Sequence, residues 1–275
     1  MDNASRTARN NILIVGGAKG IGRETCKLLL SGKFRLIIAD KDEVGLNDLR
    51  NDLKGDLETL LLDITDRNSV SSALKSIEKQ VGKLDTVVVS AAVHSTYPVE
   101  FVPDDHIEKV INVNLITHIK LVRDILPLVN DGGKIIGISS NSADIGIPME
   151  SVYAVSKAGL ERFYEALSIE ISYRKIRPIV IQPGNVNTGF NETGNDYLPS
   201  GNVFVDEAYQ RVLTAIDSRN GIDPSIVAKA IVRAIKSSNP RFRYIVGMNA
   251  MKAHWAKRLL GTDRALKLLA KYFGF

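Results

Sequence analysis

The 275-residue chain has a single cysteine, Cys26, so it cannot form an internal disulfide. Cys26 lies among apolar neighbours, which is the setting of a packed, inert thiol in a reducing compartment. The four histidines, His94, His106, His118 and His254, are scattered, with no short-spaced pair and no cysteine cluster beside them. That pattern argues against a metal site. No apolar stretch approaches the roughly 18 residues that suggest a membrane-spanning helix. Residues 1–10 are polar and lack the apolar core of a signal peptide, so a cytoplasmic location is expected. Low-complexity linkers and internal repeats, which would divide the chain, are missing too. Acidic residues are scarce in one region only. Residues 241–275 carry eight Lys/Arg against Asp263 alone, in a chain of net charge +5.

What is present is a hydrophobic content of 44%, enough at this length for a large core. Short apolar runs near 11–15, 34–39, 57–62, 85–90, 133–139, 177–182 and 242–246 alternate with helix-like stretches. This alternation predicts one α/β unit: a doubly wound, Rossmann-type domain over 11–248, whose parallel seven-stranded sheet carries helices on both faces. Right-handed crossovers bring all strand C-termini to one edge. Gly16, Asp40, Asp63, Ser90, Ser140 and Pro183 should therefore converge there.

The motifs at that edge carry chemistry. Asn11 to Val15 reads as a buried strand running into Gly16-Gly17-Ala18-Lys19-Gly20-Ile21-Gly22, and Glu24 to Leu30 as a helix. Glycines allow tight turns and close backbone approach. The helix start adds unpaired N–H groups and a positive dipole end, which suit a diphosphate. A lone glycine turn is also an ordinary loop, but Asp40 closes a second strand about 20 residues further on, where a carboxylate can take adenosine ribose hydroxyls. Tyr153 and Lys157, four residues apart, share a helix face. A cation near a phenol lowers a pKa that ordinarily lies near 10, which readies it for proton exchange near neutral pH. Each residue has a plainer reading when taken alone: Tyr153 as a surface tyrosine, Lys157 as a solvated charge, Ser140 as a strand-end cap, Asn114 as a polar flank. Their order beside the glycine turn selects the catalytic reading.

Together these residues resemble the short-chain dehydrogenase/reductase family over nearly the whole chain. Its Thr-Gly-x-x-x-Gly-x-Gly motif is matched from Val15 to Gly22, with valine for threonine. Its Asn-Asn-Ala-Gly segment corresponds to Val89-Ser90-Ala91-Ala92, where one residue of four is kept. Its adenine-side acid matches Asp63, its helical asparagine Asn114, and its catalytic serine Ser140 after Ser139. Its Pro-Gly-x-Val-x-Thr turn is intact from Pro183 to Thr188. Val15 and Val89 cannot make the family's side-chain braces, although Ser90 can replace part of that network.

The resemblance implies hydride transfer between a nicotinamide cofactor and an alcohol, ketone or aldehyde carbon. It implies Tyr153 as general acid/base, Ser140 as hydrogen-bond partner of the substrate oxygen, and Lys157 on the phenol and the nicotinamide ribose. Asn114 would hold a water leading from Lys157 to solvent. The cofactor would lie on Gly16, Lys19, Gly20, Ile21, Gly22, Asp40, Lys41, Asp63, Ile64, Ser90, Ala91, Tyr153, Lys157, Pro183, Gly184, Val186 and Thr188. Asp40 should repel the 2′-phosphate of NADP. Lys19 and Lys41 pull the other way, but flexible exposed pairs are worth only about 0–1 kcal/mol, so NAD is favoured over NADP.

Family likeness further implies a homodimer or homotetramer through the helices holding Asn114 and Tyr153, and a small, lipophilic substrate under a mobile lid at 189–220. Residues 249–275 read as a basic amphipathic extension. Met251, Trp255, Leu259, Leu266, Leu269 and Phe273 form one stripe, with Lys257, Arg264, Lys267 and Lys271 opposite, and Gly261 is a break point. The stripe either packs on the protein or a partner subunit, or lies on an anionic membrane surface. No nucleic-acid module accompanies the charge. The competing functional reading is a catalytically weak dinucleotide-binding regulator or scaffold of the same fold.

Overall fold

The computed structural model describes residues 10–194 and 197–275. The polar tail, apart from Asn10, lies outside them. Seven strands form the sheet: β1 (Asn10–Val15), β2 (Phe34–Asp40), β3 (Leu57–Leu61), β4 (Leu84–Val89), β5 (Val129–Ile138), β6 (Arg177–Pro183) and β7 (Arg243–Val246). Each overlaps one of the seven runs read from the sequence. All pairings are parallel, in the order β3-β2-β1-β4-β5-β6-β7. The order reverses between β1 and β4, where Val15 pairs with Val89, and an α/β sheet opens its ligand crevice at such a switch point.

Central strands buried on both faces read as unbroken apolar runs. Ile12, Leu13, Ile14 and Val15 accordingly have almost no exposed surface. One face of the sheet packs against α3 (Arg67–Val81), α5 (Thr117–Ile125) and α6 (Ser151–Glu170). The other packs against α1 (Gly20–Leu30), α2 (Glu43–Asp52) and α8 (Pro224–Lys236). Cys26 is fully buried on α1, and burial pushes its thiol up to about 12. Asp42, Asp66 and Asp223 cap α2, α3 and α8 through their carboxylates. No side chain caps α1.

The substrate side adds detail to two expectations. The segment 189–220, expected as a mobile cover, contains α7 (Val203–Ile216), capped by Asn202 and burying Ala208, Tyr209, Val212 and Ile216. The helix holds none of the segment's Gly, Asn, Ser or Pro residues, so composition averaged over the segment hid it. The C-terminal stripe is also divided. Gly261, at φ +76, separates α9 (Met248–Leu260) from α10 (Thr262–Phe273). Only Leu269 and Phe273 turn inward, onto Val212 and Ile216 of α7, while Met251, Trp255, Leu259 and Leu266 are exposed. Helix α9 comes in on small residues instead: Ala250 is buried and sits against Gly184. Lys257, expected among the solvated charges, bonds the Asp144 carbonyl, and His254 Nδ1 lies 2.5 Å from Asp144 Oδ2.

Candidate active site

The strand ends open into a cleft of about 940 Å³. Every residue expected to bind cofactor or act in catalysis lines it except Gly22 and Asn114. Gly22 is needed for a different reason. A Cβ there would stand 2.0 Å from the Gly16 carbonyl oxygen, so only glycine lets α1 close on the turn. Gly16 has φ +81, and a Cβ on it would meet the Ala91 nitrogen at 2.5 Å. The glycine turn and the loop after β4 thus touch backbone to backbone.

The braces lost with Val15 and Val89 are replaced by main chain. The Val15 carbonyl accepts from Ser90 N at 2.8 Å and from Ala91 N at 3.2 Å, while both valines are buried. Asp40 is held in place by two backbone donors, Ala18 N on Oδ2 and Asp42 N on Oδ1, each at 3.0 Å. Lys19 pairs with Asp42 at 2.6 Å. The open N–H groups at the start of α1, the anchored Asp40 and the glycine turn fit a dinucleotide, with its diphosphate at the helix start and its adenosine ribose at Asp40.

At the other end of the cleft, Ser140 follows β5, and Tyr153 and Lys157 lie on the first turns of α6. All three are buried. The Ser140 hydroxyl lies near the Tyr153 phenol, and its hydrogen-bond acceptors are Asn141 Oδ1 at 3.2 Å and Ser142 Oγ at 3.3 Å. Lys157 Nζ donates to the Ile138 carbonyl at 2.9 Å and sits 5.6 Å from the centre of the Tyr153 ring. The expected acidic phenol is not what this surrounding produces. Burial, and then the Glu150 carboxylate, hold Tyr153 well above the ordinary tyrosine range, and the nearby Ser140 hydroxyl only partly offsets them. Burial also lowers the Lys157 ammonium to about 8, against an opposing pull from Glu161. Sequence spacing reveals who can meet whom but not how dry the meeting place is.

Asn114 is buried in a π-turn, Asn112–Ile116. Its amide donates to the Val93 carbonyl at 2.8 Å and to Ser156 Oγ at 3.1 Å, and its Oδ1 accepts from Val93 N at 2.8 Å. One amide proton therefore braces the loop after β4 and the other ties Asn114 to Ser156 on α6.

Glu150 and Ser142 carry no sequence motif, and His94 is read there only as one of four scattered histidines. Glu150 Oε1 lies 3.1 Å from His94 Nε2, and Glu150 Oε2 accepts from Ser142 Oγ at 2.7 Å. The His94 ring stands 4.8 Å from that of Tyr153. Glu150 lies three residues before Tyr153, one helical turn away, and that spacing was the available signal. Apolar residues of the C-terminal helices, among them Leu268, Leu269 and Phe273, complete the wall facing Tyr153. No helix among the described residues is long and apolar enough to cross a membrane.

The short chain dehydrogenase family model matches residues 10–197. A 3-ketodihydrosphingosine reductase of Bacteroides thetaiotaomicron is 29% identical over 241 residues, covering 86% of this chain and 87% of its own. An NADPH-dependent 3-dehydrocapnine reductase of Ornithobacterium rhinotracheale is 26% identical, with 92% and 93% covered. Mouse retinol dehydrogenase 7 is 25% identical, with 87% and 81% covered. Among solved structures, a short-chain dehydrogenase from Streptomyces avermitilis superposes with a TM-score of 0.82 at 22% identity, covering 96% of each chain. A family member from Burkholderia phymatum in complex with NAD gives 0.79 at 20%, with the same coverage. The chain belongs to the short-chain dehydrogenase/reductase family, and is an oxidoreductase that acts on CH–OH groups with a nicotinamide dinucleotide.

Proposed function

We propose that this enzyme interconverts a lipophilic alcohol and its ketone or aldehyde, with Tyr153 exchanging the proton at the substrate oxygen. The observation that carries this reading is that buried Ser140, Tyr153 and Lys157, the last 5.6 Å from the phenol ring, line one cleft with Leu268, Leu269 and Phe273. The dinucleotide, when bound, supplies or accepts hydride. Ser140 holds the substrate oxygen against the phenol, and Tyr153 adds or removes its proton. Lys157 steadies the phenol and takes the nicotinamide ribose hydroxyls. Asn114 acts at one remove, by fixing the loop through Val93. A phenol held neutral is ready to protonate a carbonyl oxygen, which suits the reductive direction. Asp40, anchored by two backbone donors, favours NAD over NADP, and its neighbour Asp42 occupies Lys19.

The lipophilic substrate is supported by the apolar wall and by relatives named for 3-ketodihydrosphingosine, 3-dehydrocapnine and retinol. The exposed Met251, Trp255, Leu259 and Leu266 lie on the helices that carry Arg258, Arg264, Lys267 and Lys271. This face rests on an anionic bilayer, from which such a substrate would enter. Exposed Ile116 and Val155, beside Asn114 and Tyr153 in sequence, suit a homo-oligomer interface in the cytoplasm.

The decisive experiment is Tyr153→Phe, assayed by NADH absorbance at 340 nm against long-chain ketones, with cofactor affinity measured by calorimetry. Loss of the proton donor should lower kcat by about 10²–10⁴ and leave the cofactor Kd unchanged. An unaltered kcat would remove the mechanism.

A further inference from the structure

The family mechanism makes no use of the buried carboxylate one helical turn before Tyr153. Glu150 and His94 are both nearly inaccessible and both line the cleft. Glu150 occupies the N-cap position of α6, yet its carboxylate does not cap that helix. It is turned inward by Met149, whose φ of +64 is a conformation that non-glycine residues enter at a cost. The loop is held there by Tyr97 N on the Met149 carbonyl at 2.7 Å and by Glu150 N on the Ile147 carbonyl at 3.1 Å.

Beyond each other, both side chains meet hydroxyls. Thr96 Oγ1 lies 3.4 Å from His94 Nδ1, and His94 Nε2 faces Glu150. The carboxylate has His94 and Ser142 as its hydrogen-bond partners. No lysine or arginine forms an ion pair with it among the described residues. Lys157, the buried cation nearby, is drawn to Glu161 and bonded to the Ile138 carbonyl. A buried carboxylate without a lysine or arginine partner is expensive, and a ligand cation relieves that cost.

We infer that Glu150, oriented by His94 and Ser142, receives a cationic ammonium group on the substrate, close to the carbon that is oxidised or reduced. The inference deepens the proposed function and rests on its reading of the cleft. The closeness follows from the contacts. The His94 ring that meets Glu150 stands 4.8 Å from the Tyr153 ring, and Ser142, which donates to Glu150, follows Ser140 by two residues. The class of substrate is then an amine-bearing alcohol or ketone whose remaining chain is apolar and lies toward α10.

Three probes test this: an α-aminododecanone, its N-acetyl derivative and plain dodecanone, used below the pKa of the free amine. Calorimetry on the wild-type enzyme with cofactor present gives the three Kd values, and NADH or NADPH consumption gives turnover. The free amine should bind about 10- to 100-fold more tightly than either neutral ketone, the range of a charge-assisted hydrogen bond. Glu150→Gln should bring that ratio close to one, whichever way the absolute affinities move. Equal wild-type affinities for all three ketones, or an amine preference that survives Glu150→Gln, would overturn the inference. If plain dodecanone turns over without any amine preference, the oxidoreductase reading stands and this inference falls. If the amine preference appears without turnover of any probe, the converse holds. The wild-type ratio decides the matter even if the variant does not fold.

Discussion

Lys157 sets function against stability, and the conflict can be measured. The residue is 3% exposed, and its ammonium is lowered from 10.5 to about 8. At about 1.36 kcal/mol for each pH unit, the folded protein loses about 3 kcal/mol at pH 7 by keeping that charge out of water. Lys157→Met keeps most of the stem and removes the charge. The variant also gives up the bond to the Ile138 carbonyl, which returns about 1–2 kcal/mol of the gain. The expected outcome at pH 7 is an inactive enzyme that is more stable than wild type by about 1–2 kcal/mol. The sign follows from proton counts. Between about pH 8 and 10.5 the unfolded chain holds the lysine proton and the folded one does not, so wild-type stability rises through that window and the gap to the variant closes. Urea unfolding without cofactor at about pH 7 and pH 10 reads both effects. A variant less stable than wild type at pH 7, or a gap that does not change with pH, would refute the argument that burial governs Lys157.

Asp40→Ala should lower kcat/KM for NAD and raise the NADP-to-NAD ratio by about tenfold or more, since the repelling carboxylate is gone. A ratio that does not move would mean that Asp40 leaves cofactor choice to other groups. Trp255 is the only tryptophan in the chain and lies on the exposed α9 face, so its fluorescence should shift to the blue on vesicles rich in phosphatidylglycerol, but not on neutral ones, and the shift should weaken with salt. An identical spectrum on both would remove the bilayer contact. Arg243 Nη2 pairs at 2.6 Å with Glu161, whose side chain is buried between α6 and β7. Arg243→Ala should cost about 3 kcal/mol in thermal or urea unfolding, the low end for stranding a buried charge because Arg243 is itself partly exposed. A loss below about 1 kcal/mol would show that Glu161 takes up a proton without strain.

Much of the fold was legible because central strands announce themselves. Ile12 to Val15 and Leu36 to Ala39 are buried on both faces, so their apolar runs needed no tertiary information. The cofactor edge was legible for a similar reason, since glycines are demanded by backbone contact, as between Gly16 and Ala91. The substrate side was not. His94 comes from the loop after β4, while Ser142 and Glu150 come from opposite ends of the β5–α6 connection, and no local pattern ties them. The C-terminal helices misled the periodic reading because Gly261 restarts the helical phase, so a stripe drawn through both predicted one face where there are two. The Tyr153 phenol shows a third limit: spacing placed Lys157 beside it, but the direction of its shift depends on burial and on Glu150, which only the assembled cavity supplies.

Asp144 sits four residues beyond Ser140, and it is this turn that His254 and Lys257 grip. In the proposed function, the wall that chooses the substrate is therefore hung on the turn that follows Ser140, while the glycine turn and Asp40 lie far earlier in the chain. Substitutions drifting through α9 and α10 can retune what is accepted without renegotiating the redox partner. Divergence of substrate taste among descendants of such an enzyme should be written in its last helices, with the half around the glycine turn left nearly untouched.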